Sequence, residues 1–86
     1  MAWVDLSDIA RKDWSNYETG LVASHILDDG PGISEQFVDA ACSTHYDGFV
    51  GDVTELAYNT WDEVAWFSEV QARVNWREIA EALRYV

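Results

Sequence analysis

The C-terminal stretch 74–86 constrains the fold most, because it holds a full set of helix signals. Asn75 is a typical N-cap residue, and Glu78, three residues later, predicts a capping box with it. Arg84 stands in the last turn, where a cation suits the helix dipole. The apolar residues on one face of this helix are Trp76, Ile79, Ala80 and Leu83. A helix this short is marginal alone in water, so it must close a core formed by the rest of the chain.

Three more capping boxes are predicted upstream, at Ser15–Glu18, Asp52–Glu55 and Thr60–Glu63. Residues from Asp52 to about Gln71 then form one helix, or two that break near Asn59–Thr60. We favour the break, because Asn and Thr are poor residues for a helix interior. Arg73-Val74 links this region to the closing helix.

Two helices are expected before Asp52. The first contains Gly20, which weakens it by roughly 1 kcal/mol relative to Ala, and is stopped by Asp28-Asp29-Gly30-Pro31-Gly32. Ser34 is expected to cap the second, which ends near His45 and is followed by a loop over 46–51. A short helix is also expected around Ser7–Lys12. The apolar faces expected to meet in the core are Tyr17, Leu21, Val22, His25 and Ile26; Ile33, Phe37, Ala40, Ala41 and Thr44; and Val53, Leu56, Ala57, Thr60, Trp61, Val64 and Ala65.

The agreement of caps and apolar periods predicts an all-α or mainly α fold. With 86 residues, 14% of them aromatic, we expect a single acidic domain, 1–86, built as a compact bundle of four to five short helices around Trp, Tyr and Phe anchors. A single cysteine, Cys42, allows no intrachain disulfide and fits a reducing cytosol.

The charge balance restricts the classes of partner. Sixteen Asp/Glu and five Lys/Arg give a net charge of −11, whereas small domains usually carry a magnitude of about 2–8. Such a chain should repel nucleic acid and anionic membranes and attract basic protein surfaces. High solubility and adaptation to high salt, suggested by the single lysine Lys12, are the competing explanations.

Little in the sequence points to catalysis or to a cofactor. Cys42, His45 and His25 fall short of the ligands that a zinc site needs, so we expect no metal, a buried thiol and a His25 satisfied in the core. No nucleophile, base and pocket converge, and no phosphate-binding loop follows Gly48 or Gly51. We therefore expect a protein that is not an enzyme.

The carboxylates themselves are the candidate site. A diameter of about 30 Å is expected for a chain of this length, and that length of duplex carries roughly 18 charges. Glu18, Glu55, Glu63 and Glu78 are assigned to caps. The residues expected to bind a partner are Asp28, Asp29, Glu35, Asp39, Asp47, Asp62, Glu69 and Glu81.

Two motifs carry a family resemblance. One is Tyr46-Asp47-Gly48 followed by Asp52 and Leu56-Ala57, and the other is Val74-Asn75-Trp76 with its apolar helix. Together they resemble the ArdA family of antirestriction proteins over about half the chain. Residues 14–19 are similar to the opening of short, uncharacterised phage proteins, with Gly20 where those have Trp.

The resemblance implies an acidic inhibitor from a phage or mobile element that imitates DNA. ArdA proteins are longer, multi-domain dimers thought to occupy the DNA groove of type I restriction enzymes, and this chain matches about one such domain. We expect it to block a basic groove of a host restriction or CRISPR protein in the bacterial or archaeal cytoplasm, as a monomer or as a homodimer that joins two acidic faces. The alternative is a non-enzymatic interaction module that binds a host regulator through an apolar patch.

Overall fold

A computed structural model describes residue 9, residues 12–43 and residues 48–84 of the chain. These residues form five α-helices and one 3₁₀ turn, and they contain no β-strand. The elements are α1 (Tyr17–Asp28), α2 (Pro31–Cys42), α3 (Gly48–Thr60), α4 (Ala65–Val70), the 3₁₀ turn Gln71–Arg73, and α5 (Trp76–Arg84). The predicted fold class, a small all-α bundle, is confirmed.

Helices α2, α3 and α5 pack on one another and form the centre of the bundle, and α1 lies on α2. The closing helix presents the predicted face, since Ile79, Ala80 and Leu83 are buried. Phe37 of α2 stacks on Trp61 at the end of α3, with ring centroids 5.3 Å apart. An aromatic cluster therefore joins the central helices, as the composition predicts.

The turn between α1 and α2 is where the sequence predicts a stop. Gly30 has φ 120°, a conformation that residues with a Cβ rarely adopt, and Pro31 then opens α2, where its fixed φ is favourable. The prediction that Ser34 caps α2 is wrong, because the helix starts three residues earlier. Ser34 is instead buried, and its hydroxyl donates to the Ile26 carbonyl at 2.7 Å, which ties α2 to α1.

The capping box predicted at Ser15–Glu18, at the N-terminus of α1, is wrong. Asn16, not Ser15, is the N-cap, and its side-chain oxygen accepts from the Thr19 N–H at 2.8 Å. Ser15 donates through both its backbone N–H and its hydroxyl to the Glu78 carboxylate of α5, at 3.2 and 2.8 Å. Ser15 therefore connects the start of α1 to α5 and caps neither helix.

Asn75 caps α5 as predicted, since its side-chain oxygen accepts from the Glu78 N–H at 3.2 Å. The returning half of the box is absent from the described contacts. The Asn75 N–H donates to the Thr19 hydroxyl at 2.9 Å, which leaves the Glu78 carboxylate to Ser15. The Asn75 N–H and the Glu78 carboxylate were expected to bond to each other, and each instead bonds to a residue far away in the sequence.

The two capping boxes predicted in the middle of the chain are wrong. Asp52 lies inside α3, which begins at Gly48, so residues 48–51 of the expected loop are helical. Thr60 ends α3, and α4 begins at Ala65 after Val64, whose side chain makes no capping hydrogen bond. The predicted break is confirmed: residues 61–63 form a turn, and Glu63 has φ 63°.

Two residues leave the faces predicted for them. Tyr17 is 74% exposed, and Ala65 is exposed. The helix expected around Ser7–Lys12 lies mostly outside the described residues, and Thr44 and His45 lie outside them entirely.

Candidate acidic interaction surface

The charges are distributed unevenly along the chain. Residues 13–72 contain twelve of the sixteen Asp/Glu and none of the five Lys/Arg. All of α1, α2, α3 and α4 falls in this interval, so these helices have no lysine or arginine of their own with which to neutralise their carboxylates. Cations reach them only from the flanking segments, as where Arg73 pairs with Glu18 at 3.9 Å.

Most of the predicted partner-binding residues are exposed. Glu35 and Asp39 lie one turn apart on α2, Glu69 is on α4, and Glu81 is on α5. None of these four makes a hydrogen bond or ion pair with another described residue. Asp47 lies outside the described residues. A carboxylate that lacks an internal partner and faces water is available to a cation of another molecule.

Asp29 differs from the other candidates, because it holds the fold together. One of its carboxylate oxygens accepts from the Trp61 indole N–H at 2.9 Å, and the other lies 3.5 Å from Nδ1 of His25. The His25 ring in turn stacks on Trp66, with centroids 3.7 Å apart and planes inclined by 10°. Asp29 thus links the end of α1 to the turn between α3 and α4.

This link brings two acidic turns together. We use the name acidic pole for Asp28, Asp29, Asp62 and Glu63, which are all exposed and which belong to the two segments joined by the hydrogen bond between Asp29 and Trp61. The pole lies within the interval that has no Lys or Arg, so neither of its two segments supplies a lysine or arginine to neutralise it. The two segments are more than 30 positions apart in the sequence, which gives no sign that they are joined.

Two carboxylates expected to act in helix caps belong to the candidate surface. Glu55 is exposed on α3, and Glu63 is exposed in the following turn, and neither makes a hydrogen bond or ion pair with the rest of the described chain. By contrast, Glu18 and Glu78 do have internal partners. The signal that could have identified Glu55 and Glu63 is the long interval without a cation, which does not depend on cap assignments.

Two residues considered for metal binding or nucleophilic chemistry are less buried than the sequence predicts. Cys42 is exposed, not buried, and His25 is half-buried at the edge of the aromatic cluster and not inside the core. Across residue 9, residues 12–43 and residues 48–84, no three His, Cys, Asp or Glu side chains are grouped as metal ligands.

A groove runs beside α1. Its volume is about 600 Å³, and the residues that line it include Asp13, Trp14, Leu21 and Asp28. It is an open surface feature flanked by the exposed ring of Tyr17.

Comparison with known proteins adds no relative. No family model, curated protein or solved structure matches the chain. The resemblance to ArdA proteins therefore stays a prediction. Among the described helices, none has both the length and the apolar character that crossing a membrane requires.

Proposed function

We propose that this chain is a DNA-mimic inhibitor, which occupies a basic nucleic-acid-binding groove of a host defence protein. The observation that carries the proposal is the interval 13–72, with twelve carboxylates and no Lys or Arg. Of the thirteen described Asp/Glu, ten are exposed. A surface with this composition favours contact with arginine and lysine and disfavours contact with phosphate.

The dimensions are compatible with such a role. The molecule measures 35 × 26 × 23 Å, and a duplex of that length carries about 20 phosphates on its two strands. A protein that contacts one side of the duplex faces about half of them, which is of the same order as the ten exposed carboxylates.

The mechanism is binding and occlusion. Exposed carboxylates pair with the Arg and Lys side chains that otherwise hold phosphates, and no covalent bond is made or broken. Long-range attraction between opposite charges accelerates the encounter, and added salt weakens it. The groove of the target is then unavailable to DNA or RNA.

A competition assay tests this function. A candidate restriction or CRISPR nuclease is immobilised, and binding of the chain is measured with and without duplex DNA at several salt concentrations. We expect duplex and protein to exclude each other, and we expect the affinity to fall as salt rises. Simultaneous binding of both would reject mimicry.

Charge variants sharpen the assay. Glu35→Gln, Asp39→Asn and Glu55→Gln remove carboxylates of α2 and α3 that make no ion pair with another described residue, and together they should weaken binding. Asp29 is left intact, because its loss would disturb Trp61. The double variant Glu35→Gln/Gln36→Glu keeps the net charge and moves one exposed carboxylate by one residue along α2, so weaker binding of this variant shows that position matters beyond total charge.

The second candidate function is a non-enzymatic interaction module with an apolar contact. It is favoured by Tyr17, whose ring is 74% exposed beside the groove of α1. If this function holds, the α2 and α3 charge variants leave binding unchanged, whereas Tyr17→Ser abolishes it.

A further inference from the structure

The groove beside α1 combines an apolar floor with negative charge. Leu21 and Leu27 of α1 are half-buried and line it together with Trp14, and the exposed carboxylates of Asp13 and Asp28 also lie along it. Such a lining suits a molecule that has an aliphatic part and a cationic head.

Gly20 allows the tryptophan to form one wall. A Cβ built at Gly20 would lie 3.4 Å from Cδ1 of Trp14, so a side chain larger than alanine would displace the indole. Trp14 therefore lies close against the helix, and the groove remains open along Leu21 and Ser24.

A cation already lies in this groove. The Nζ atom of Lys12, the single lysine of the chain, lies 5.4 Å from the centroid of the Trp14 ring, within the range of a cation–π interaction. Lys12 itself lines the groove. The chain's own ammonium group thus shows which chemistry the indole face accepts.

We propose that the groove binds an arginine side chain of a partner protein, which takes the position of Lys12. The guanidinium stacks on Trp14 and pairs with the carboxylate of Asp28 or Asp13, and the aliphatic stem covers Leu21. Arginine is preferred over lysine because its planar, weakly hydrated head stacks on aromatic rings and pairs with carboxylates in a fixed geometry. This inference deepens the proposed function, since it rests on a basic partner and assigns the chemistry of one contact.

The test uses the full chain and the peptide acetyl-Gly-Leu-Arg-Gly-amide, followed by heteronuclear NMR. Saturable shifts are expected at the Trp14 indole N–H and at the amides of Gly20, Leu21 and Ser24. The peptide in which citrulline replaces arginine has the same shape without the charge, and it should produce none.

Variants of the chain separate groove binding from general attraction. Lys12→Gln removes the internal competitor and should tighten peptide binding by about two- to five-fold. Arg77→Gln changes the net charge equally, outside the groove, and should have a smaller effect. Asp28→Asn should weaken binding, and its NMR spectrum shows whether the fold is kept.

Three results would overturn the proposal: no saturable shift, shifts confined to α2 and α3, or equal effects of Lys12→Gln and Arg77→Gln. The outcome is separate from that of the nuclease competition assay. Peptide binding with no exclusion of duplex would keep the groove and reject mimicry, and exclusion of duplex with no peptide binding would do the reverse.

Discussion

The hydrogen bond between Trp61 and Asp29 should be measurable as a coupling free energy. Hydrogen bonds to charged groups are worth about 1.5–3 kcal/mol, and the side chain of Asp29 is 36% exposed. Because water competes at such a site, we expect a coupling of about 1 kcal/mol, at or below the lower end of that range. A chain of this length has a total stability of about 4–13 kcal/mol, so this one bond is a substantial part of it.

The assay is a double-mutant cycle with Asp29→Ala, Trp61→Phe and the double variant, using urea denaturation followed by far-UV circular dichroism. The cycle cancels the loss of ring area at Trp61 and the loss of the His25 contact of Asp29, since each occurs in both arms. Asp29→Asn is the control, because its side-chain carbonyl oxygen can still accept from the indole. A coupling below about 0.3 kcal/mol, the usual error of additivity, would refute the view that this bond joins the two acidic turns.

Three further substitutions test the local structure. Gly20→Ala should raise the free energy of unfolding by about 0.5–1 kcal/mol, because alanine favours the helix more than glycine does. The added methyl group fits, since it would lie 3.4 Å from Trp14, an ordinary contact. A fall in the thermal midpoint would show that the indole cannot accommodate the methyl group. Asn75→Ala should cost about 1 kcal/mol, since it removes the acceptor for the Glu78 N–H, and Asn75→Asp, which keeps an acceptor, should cost much less in the same denaturation experiment. Glu63→Gly should be more stable than Glu63→Ala by about 0.5–1 kcal/mol in urea denaturation, because φ 63° costs a residue with a Cβ roughly 1–2 kcal/mol and the larger backbone entropy that glycine loses on folding offsets part of that. Equal stability of the two variants would contradict that reasoning.

The sequence predicts the helices better than it predicts their caps. The closing helix, the stop after Asp28 and the break after Thr60 follow from signals within a few residues. Of the four predicted capping boxes, only the Asn75 cap of α5 is present. The others are wrong because a box depends both on the residue where the helix begins and on which partners packing brings near each side chain. The carboxylate of Glu78 could have accepted from the Asn75 N–H three residues earlier, yet it accepts from Ser15, 63 residues away.

The candidate site divides in the same way. Exposure of Glu35, Asp39 and Glu69 follows from helical periodicity, because the apolar stripe leaves the other positions to water. The joining of the segments that carry Asp28 and Asp62 does not, because it depends on the hydrogen bond between Asp29 and Trp61, which forms when the end of α1 packs against the turn after α3.

The sequence by itself determined an acidic bundle of short helices. The features responsible are its composition, the helical spacing of its apolar residues and the residues that end helices, and the spacing and the helix ends act over one or two helical turns. Only the tertiary structure decided which carboxylates are tied down and which are free, and which cation lies on Trp14. The physical reason is that hydrogen bonds and ion pairs act only over a short distance. Each donor therefore bonds to an acceptor that the packing of the helices places within that distance. Many of these partners are far apart in the chain, so the local sequence pattern cannot predict them.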